Sequence, residues 1–98
     1  MDIEFKGRQL KRLAYGPKES GGLPPEIVSK YREVLNYFRF IQNRQNIRNW
    51  KGLRLEKLKG DKRGKWSVKL NEQWRLIVEF RSKDRTETVI VESIEDYH

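Results

Sequence analysis

The sequence predicts an α+β fold, with two N-terminal helices packed on one face of a small antiparallel β-sheet. Two patterns predict it. Apolar residues recur at helical spacing in the first half, at Ile27, Tyr31, Val34, Leu35, Phe38 and Ile41. In the second half the period changes to two: Trp66, Val68 and Leu70 alternate with Ser67, Lys69 and Asn71. Length adds a bound. A chain of 98 residues buries roughly 60–65% of its unfolded surface, which builds one modest core. A single domain over 1–98 is expected.

The elements follow in order. An extended stretch around Ile3 and Phe5 opens the chain, and Gly7 leads into a brief basic helix from Arg8 to about Tyr15. Gly16-Pro17 stops that helix, and Glu19-Ser20-Gly21-Gly22 reads as a loop. Pro24-Pro25 followed by Glu26 is a helix start, because proline tolerates the first turn and the acid suits the N-terminal dipole. The apolar stripe carries this helix over about 25–42. Gln42 to Gly52 is polar and basic, with Ile47 and Trp50 as anchors to the core. Leu53, Leu55 and Leu58 suggest a short strand ending at Gly60, and Asp61-Lys62-Arg63-Gly64 a hairpin turn with glycine at the positive-φ position. The Trp66–Leu70 strand turns at Asn71-Glu72 into a second, where Trp74, Leu76, Val78 and Phe80 alternate with Arg75, Ile77, Glu79 and Arg81. Ser82 to Arg85 turns once more, and Thr86 to Ile94 is rich in β-formers. If Trp74, Leu76, Val78 and Phe80 face the helices, then Arg75, Ser67 and Lys69 share the other, polar face. Trp66 and Trp74 then belong to the core.

Charge narrows the function classes. Lys and Arg number 22 against 14 Asp and Glu, a net charge of +8. All of that excess lies between Arg39 and Trp66, where ten basic residues face two acids, Glu56 and Asp61. From Asp84 to His98 the balance reverses. A basic segment on a neutral body, interleaved with Trp50 and Trp66, is the electrostatic footprint of nucleic-acid binding. The absence of cysteine excludes disulfides, thiol catalysis and thiolate metal sites, and a single histidine at position 98 excludes a His-rich metal site. No run approaches the ~18 apolar residues of a membrane span and no signal-peptide core follows Met1, so a cytoplasmic protein with a polyanionic partner is expected.

Four segments carry a resemblance: Arg54-Leu55-Glu56-Lys57-Leu58-Lys59-Gly60-Asp61, Gly64-Lys65-Trp66-Ser67-Val68, Asn71-Glu72-Gln73-Trp74-Arg75-Leu76 and the terminal Asp96-Tyr97-His98. Together they closely resemble the HigB-type toxins of the RelE/ParE superfamily of bacterial type II toxin–antitoxin systems. The resemblance covers most of the second half at near-fixed spacing, and the first half in helix layout alone. It implies a RelE/ParE-like fold and a ribosome-dependent mRNA endonuclease, an interferase that enters the ribosomal A site and cuts the message. It further implies a cognate HigA-like helix-turn-helix antitoxin, the ribosome and mRNA as partners, and operator DNA reached only through the antitoxin. Gyrase-inhibiting ParE-like toxins share the fold without nuclease activity and are the alternative. A non-catalytic nucleic-acid-binding module is a third possibility.

RNA is cleaved without metal when its own 2′-hydroxyl attacks the adjacent phosphate. The reaction needs in-line positioning, a base, an acid and positive charge for the phosphorane. With no metal-ligand cluster in the sequence, this route suits the chain better than two-metal hydrolysis. Lys59 and Arg75 match family active-site positions by their motifs, and both suit stabilisation of a phosphate transition state. The plain alternatives are a solvated hairpin lysine, and an arginine paired across strands with Glu79 or Glu92. Histidine is the one side chain whose unperturbed pKa lies near neutrality, so His98 suits acid–base work; Tyr97 suits stacking or a phosphate hydrogen bond, and Asp96 suits orienting either. Without the resemblance, a terminal histidine is a frayed chain end. Some members of the family have histidine where this chain has Glu56, so Glu56 is either a substitute base or a surface carboxylate facing Lys57 or Arg54. Arg54, Lys57, Lys62, Arg63 and Lys65 are the expected RNA-phosphate contacts. Neutralisation by an acidic antitoxin surface should show an association rate that falls with salt.

Overall fold

The computed structural model describes residues 1–16 and 21–97. The stop at Pro17, the loop at Glu19-Ser20 and the terminal His98 therefore lie outside the described residues. The chain forms β1 (Asp2–Phe5), α1 (Arg8–Tyr15), α2 (Pro25–Phe40), β2 (Glu56–Lys57), β3 (Trp66–Lys69), β4 (Trp74–Lys83) and β5 (Thr86–Asp96), with short 3₁₀ turns at Arg44–Asn49, Lys51–Leu53 and Gly60–Lys62. The strands make one five-stranded sheet in the order β1-β5-β4-β3-β2. Every pair is antiparallel except β1 on β5, so the sheet is mixed at one edge.

Helix α2 is built as its periodicity predicts. Pro25 occupies the first turn with Glu26, and Ile27, Tyr31, Val34, Leu35 and Phe38 are buried on one face. It ends at Phe40, two residues short of the expected end, because two local devices take over there. The Met1 ammonium donates to the Phe38 carbonyl at 3.0 Å and to that of Ile41, placing a positive charge on the helix C-terminus. Asn43 then caps the first 3₁₀ turn, its Oδ1 accepting from the Gln45 N–H at 3.0 Å while Asn46 Oδ1 accepts from the Asn43 N–H at 3.2 Å. Helix α1 is tied to α2 by side chains. The Tyr31 hydroxyl donates to the Leu10 carbonyl at 2.8 Å, and Arg32 donates to the carbonyls of Leu13 (2.9 Å) and Gly16 (2.7 Å). Burial pushes the Tyr31 phenol well above its ordinary range, so it stays a neutral donor.

The helices cover one sheet face, where Val68, Leu70, Leu76, Val78, Val89 and Val91 join the helical stripe in a single core. Trp66 and Trp74 pack against it as the alternation predicts. Trp66 meets Phe80 edge-on at 5.9 Å, and the Arg44 guanidinium lies 5.0 Å over the Phe80 ring while pairing with Glu87 at 3.3 Å.

Three departures shape the site. The strand expected from Leu53 is only Glu56–Lys57. Leu53 is instead drawn into the core by a 3₁₀ turn, and Arg54 leaves it in the left-handed conformation at φ 45°. The second face of the sheet is not an open polar surface: Ser67 and Ile77 are each 1% exposed and Ile90 is buried. The third departure is a bulge in β5. Ile77 pairs with Ser93 but Val78 pairs with Val91, which leaves Glu92 as an extra residue.

Candidate active site

The bulge decides which β5 side chains stand beside Arg75. Up to Val91 the strand alternates normally, with Val89 and Val91 in the core. Continued alternation would send Ser93 and Glu95 toward the helices. The extra residue resets the phase, so Ile94 packs on the core while Ser93 sits opposite Ile77 and Glu95 opposite Arg75. The same reset puts Asp96 opposite Trp74, on the helix-side parity, and returns Tyr97 to the parity of Arg75. The Tyr97 N–H donates to the Gln73 carbonyl at 2.6 Å and docks this segment on the start of β4. The Arg75 guanidinium lies 6.0 Å from the Tyr97 ring centroid. Its Nη1 is buried and has no hydrogen-bond partner among the described residues.

The segment between β2 and β3 crosses this face. It is closed by the Leu58 N–H donating to the Lys65 carbonyl at 2.9 Å, with Gly64 at φ 89° as the predicted turn glycine and Gly60 at φ 71° as a second. From it Lys62 reaches over β4 to both carboxylate oxygens of Glu95, at 2.5 and 2.7 Å, and Ser93 Oγ donates to Glu95 Oε2 at 2.8 Å. Lys65 pairs with Glu92 at 3.2 Å, and Lys6 binds the other Glu92 oxygen at 3.2 Å. The Lys62 hydrogen bond holds the Glu95 carboxyl below the usual carboxylate range, and the same contact raises Lys62. For Glu92, burial pushes the carboxyl up, but the Lys6 and Lys65 ammonium groups outweigh it and hold it low.

The structure thus brings some sequence-predicted residues together and separates others. Arg75 and Tyr97 are neighbours, and Lys62 binds Glu95, the residue opposite Arg75 in the β4–β5 register. Arg75 has no ion pair with Glu79 or Glu92. Asp96 accepts from Gln73 Nε2 at 3.1 Å on the side of the strand facing away from Arg75. Lys59 is exposed and immediately precedes the Gly60–Lys62 turn. Of the expected RNA contacts, Lys62 and Lys65 are engaged by Glu95 and Glu92, and Lys57 lies 5.9 Å over the Trp66 ring, on the helix-side parity. Arg54 and Arg63 are exposed. Glu56 is exposed opposite Ser67 and, among the described residues, within 4.0 Å of no cation. At the next turn Lys69 binds Glu72 at 2.5 Å and holds its carboxyl low, with Arg54 and Arg75 adding to the effect. His98 is outside the described residues. Among the described residues no group of three or more His, Cys, Asp or Glu is placed to hold a metal ion, and no helix is long and apolar enough to cross a membrane.

Sequence reasoning named Glu92 only as a partner for Arg75, where it pairs with Lys6 and Lys65 instead, and gave no role to Ser93 and Glu95. A signal was present: core residues at 89 and 91 followed by one at 94 break the period of two, the mark of a bulge.

Residues 3–98 match the family model described as the RelE-like toxin of type II toxin–antitoxin system HigB. Among solved structures, a YoeB/ParE toxin from Agrobacterium tumefaciens superposes with a TM-score of 0.62 at 14% identity, covering 100% of both chains. A YafQ mutant from E. coli superposes with a TM-score of 0.58 at 15% identity, covering 97% of this chain and 91% of that one. At such identities the likeness is one of fold. Among curated proteins no sequence match is found.

Proposed function

With its match over residues 3–98, the chain belongs to the HigB-like family of RelE-like toxins of type II toxin–antitoxin systems, and on that premise we propose that it is a ribosome-dependent mRNA endonuclease. Membership implies an antitoxin partner. The observation that carries the nuclease reading is the Arg75 guanidinium, with one nitrogen buried and unpaired among the described residues and its plane beside Tyr97. A guanidinium with an unused donor beside an aromatic ring suits bidentate binding of a phosphate that displaces its present packing.

In the proposed reaction the 2′-hydroxyl of the mRNA attacks its own 3′-phosphorus. The P–O5′ bond breaks, leaving a 2′,3′-cyclic phosphate and a 5′-hydroxyl. The 2′-proton passes to a base and a proton is delivered to O5′ by an acid, with His98 and Glu56 as the candidates for these two transfers. Arg75 and Lys59 neutralise the charge of the phosphorane, a role worth about 10²–10³ in rate per donor. Tyr97 stacks on a base or contacts the phosphate, and Asp96 orients the C-terminal residues. Arg54 and Arg63 are the exposed cations best suited to flanking phosphates, and the cytoplasm, where ribosomes are, is the place of action.

The test is 5′-end mapping of an mRNA on translating ribosomes, with the wild-type protein and with His98 deleted. Cuts confined to the A-site codon, present with wild type and lost on deletion, are expected. Growth arrest without cuts overturns the nuclease and makes gyrase the next target to assay. RNA binding that survives loss of His98, with no cuts from either protein, leaves a non-catalytic binding module.

A further inference from the structure

We propose that Glu95 is a positioning residue for the cleavage reaction: through Lys62 it holds the Gly60–Lys62 turn, which Lys59 immediately precedes, against the sheet that bears Arg75. The inference rests on the nuclease reading above and adds to it a residue that the motifs do not contain.

The turn from Leu58 to Lys65 closes on itself through backbone hydrogen bonds, Leu58 to Lys65, Arg63 to Gly60 and Lys65 to Lys62. Such bonds fix its internal shape but leave its angle to the sheet free. Two ion pairs set that angle, Lys62 to Glu95 and Lys65 to Glu92, each spanning from the β2–β3 side of the sheet to β5. The first is the better built. Both Glu95 oxygens accept from Lys62 Nζ, and Ser93 Oγ holds one of them, so the carboxylate is oriented before the lysine arrives. Glu95 is also the register partner of Arg75. One residue therefore lies opposite Arg75 in the sheet while its carboxylate holds the lysine turn, and the β5 bulge is what puts it there.

This gives Lys62 a different task from the phosphate contact its charge suggested. A lysine engaged by two carboxylate oxygens offers little to RNA, whereas a turn that swings by an ångström moves Lys59 out of line with the phosphate. Misplacement of that size costs up to about a hundredfold in rate. It leaves affinity for the message untouched, since removing an acid from a basic face does not weaken RNA binding.

The experiment compares wild type, Glu95→Gln, Lys62→Met and the swapped pair Lys62→Glu/Glu95→Lys in single-turnover cleavage of ribosome-bound mRNA, alongside amide hydrogen exchange over residues 58–65. Expected for both single variants is a rate tenfold to a hundredfold lower, KM unchanged or lower, and faster exchange in the turn while the β3–β5 core exchanges as in wild type. The swapped pair should regain most of the rate and the protection. A raised KM for Lys62→Met with no rescue by the swap makes Lys62 an RNA contact and overturns the proposal, as does unchanged exchange in Glu95→Gln. If wild type itself cuts nothing, the nuclease reading fails. The exchange data then decide whether Glu95 holds the turn: slow exchange in wild type and fast in Glu95→Gln supports it, and equal exchange overturns it.

Discussion

Replacing Glu92 with glutamine keeps the shape of the bulge and removes one charge. The wild-type carboxylate is 4% exposed and is bridged by two lysines at 3.2 Å, Lys6 (67% exposed) and Lys65 (32% exposed). The Lys6 arm is largely solvated and counts as a surface pair, worth about 0.2–1 kcal/mol. The Lys65 arm is drier and contributes more, yet the desolvation of the carboxylate offsets part of it, well short of the 3–5 kcal/mol lost when a fully buried pair is broken. A net loss of about 1–2 kcal/mol follows at neutral pH. For a domain of this size each kcal/mol shifts Tm by about 4–8 °C, so thermal unfolding followed by circular dichroism should show a Tm roughly 5–15 °C lower. The pH dependence gives a second check. The folded Glu92 carboxyl titrates below its ordinary value, so its stabilisation is complete above the unfolded pKa of about 4.3 and is lost as pH falls through the lower folded value. Glutamine does not titrate. The Tm gap between the two proteins should therefore close below about pH 4. A gap under about 2 °C at pH 7, or one of equal size at pH 3, refutes the assignment of Glu92 as a charged tie between Lys6 and Lys65.

Arg75→Lys keeps the charge but loses the planar fork beside Tyr97, and is expected to lower the single-turnover cleavage rate at least tenfold; a rate near wild type would reduce Arg75 to a point charge. Tyr97→Phe should retain most of the rate and Tyr97→Ala lose about tenfold, since base–aromatic stacking is worth about 1–3 kcal/mol. Equal losses in both would assign the work to the hydroxyl. At the β4–β5 hairpin, Asp84 and Arg85 hold φ of 50° and 68° without a glycine, so Asp84→Asn/Arg85→Gly should stabilise the protein by about 0.5–1 kcal/mol in urea titrations. No gain would mean that the wild-type turn carries no strain.

Much of the fold was legible because it is local. The 3.6-residue stripe from Ile27 to Phe38 and the alternation of β3 and β4 are properties of neighbours in the chain, and they put α1, α2, Trp66 and Trp74 where they stand. Gly64 read correctly as a turn residue for the same reason. The β5 run did not read in full. Its propensity marks a strand, and the spacing of Val89, Val91 and Ile94 hints at a phase change, but Ile90 is apolar too, so only the packing of Ile94 beside Leu76 shows where the phase resets. Of the candidate site, strand parity placed Arg75 on the face away from the helices, as found, while Lys59, Tyr97, Asp96 and His98 are proposed from the motifs alone. The engagement of Lys62 and Lys65 by Glu95 and Glu92 lay beyond both, because a lysine in a basic run looks the same whether it faces solvent or a carboxylate 33 positions away.

The sequence by itself determined the α+β class, the helix faces, the strand alternation, the basic middle segment and the family to which the chain belongs. Each of these is set by residues a few positions apart or by composition. Tertiary structure alone decided the parallel seat of β1 on β5, the bulge that aims Glu95 and Tyr97 at the Arg75 face, and which cations of the basic segment are held by carboxylates. Those outcomes depend on cross-strand register, where a slip of one residue turns every later side chain to the other face, and no local pattern carries the partner's position.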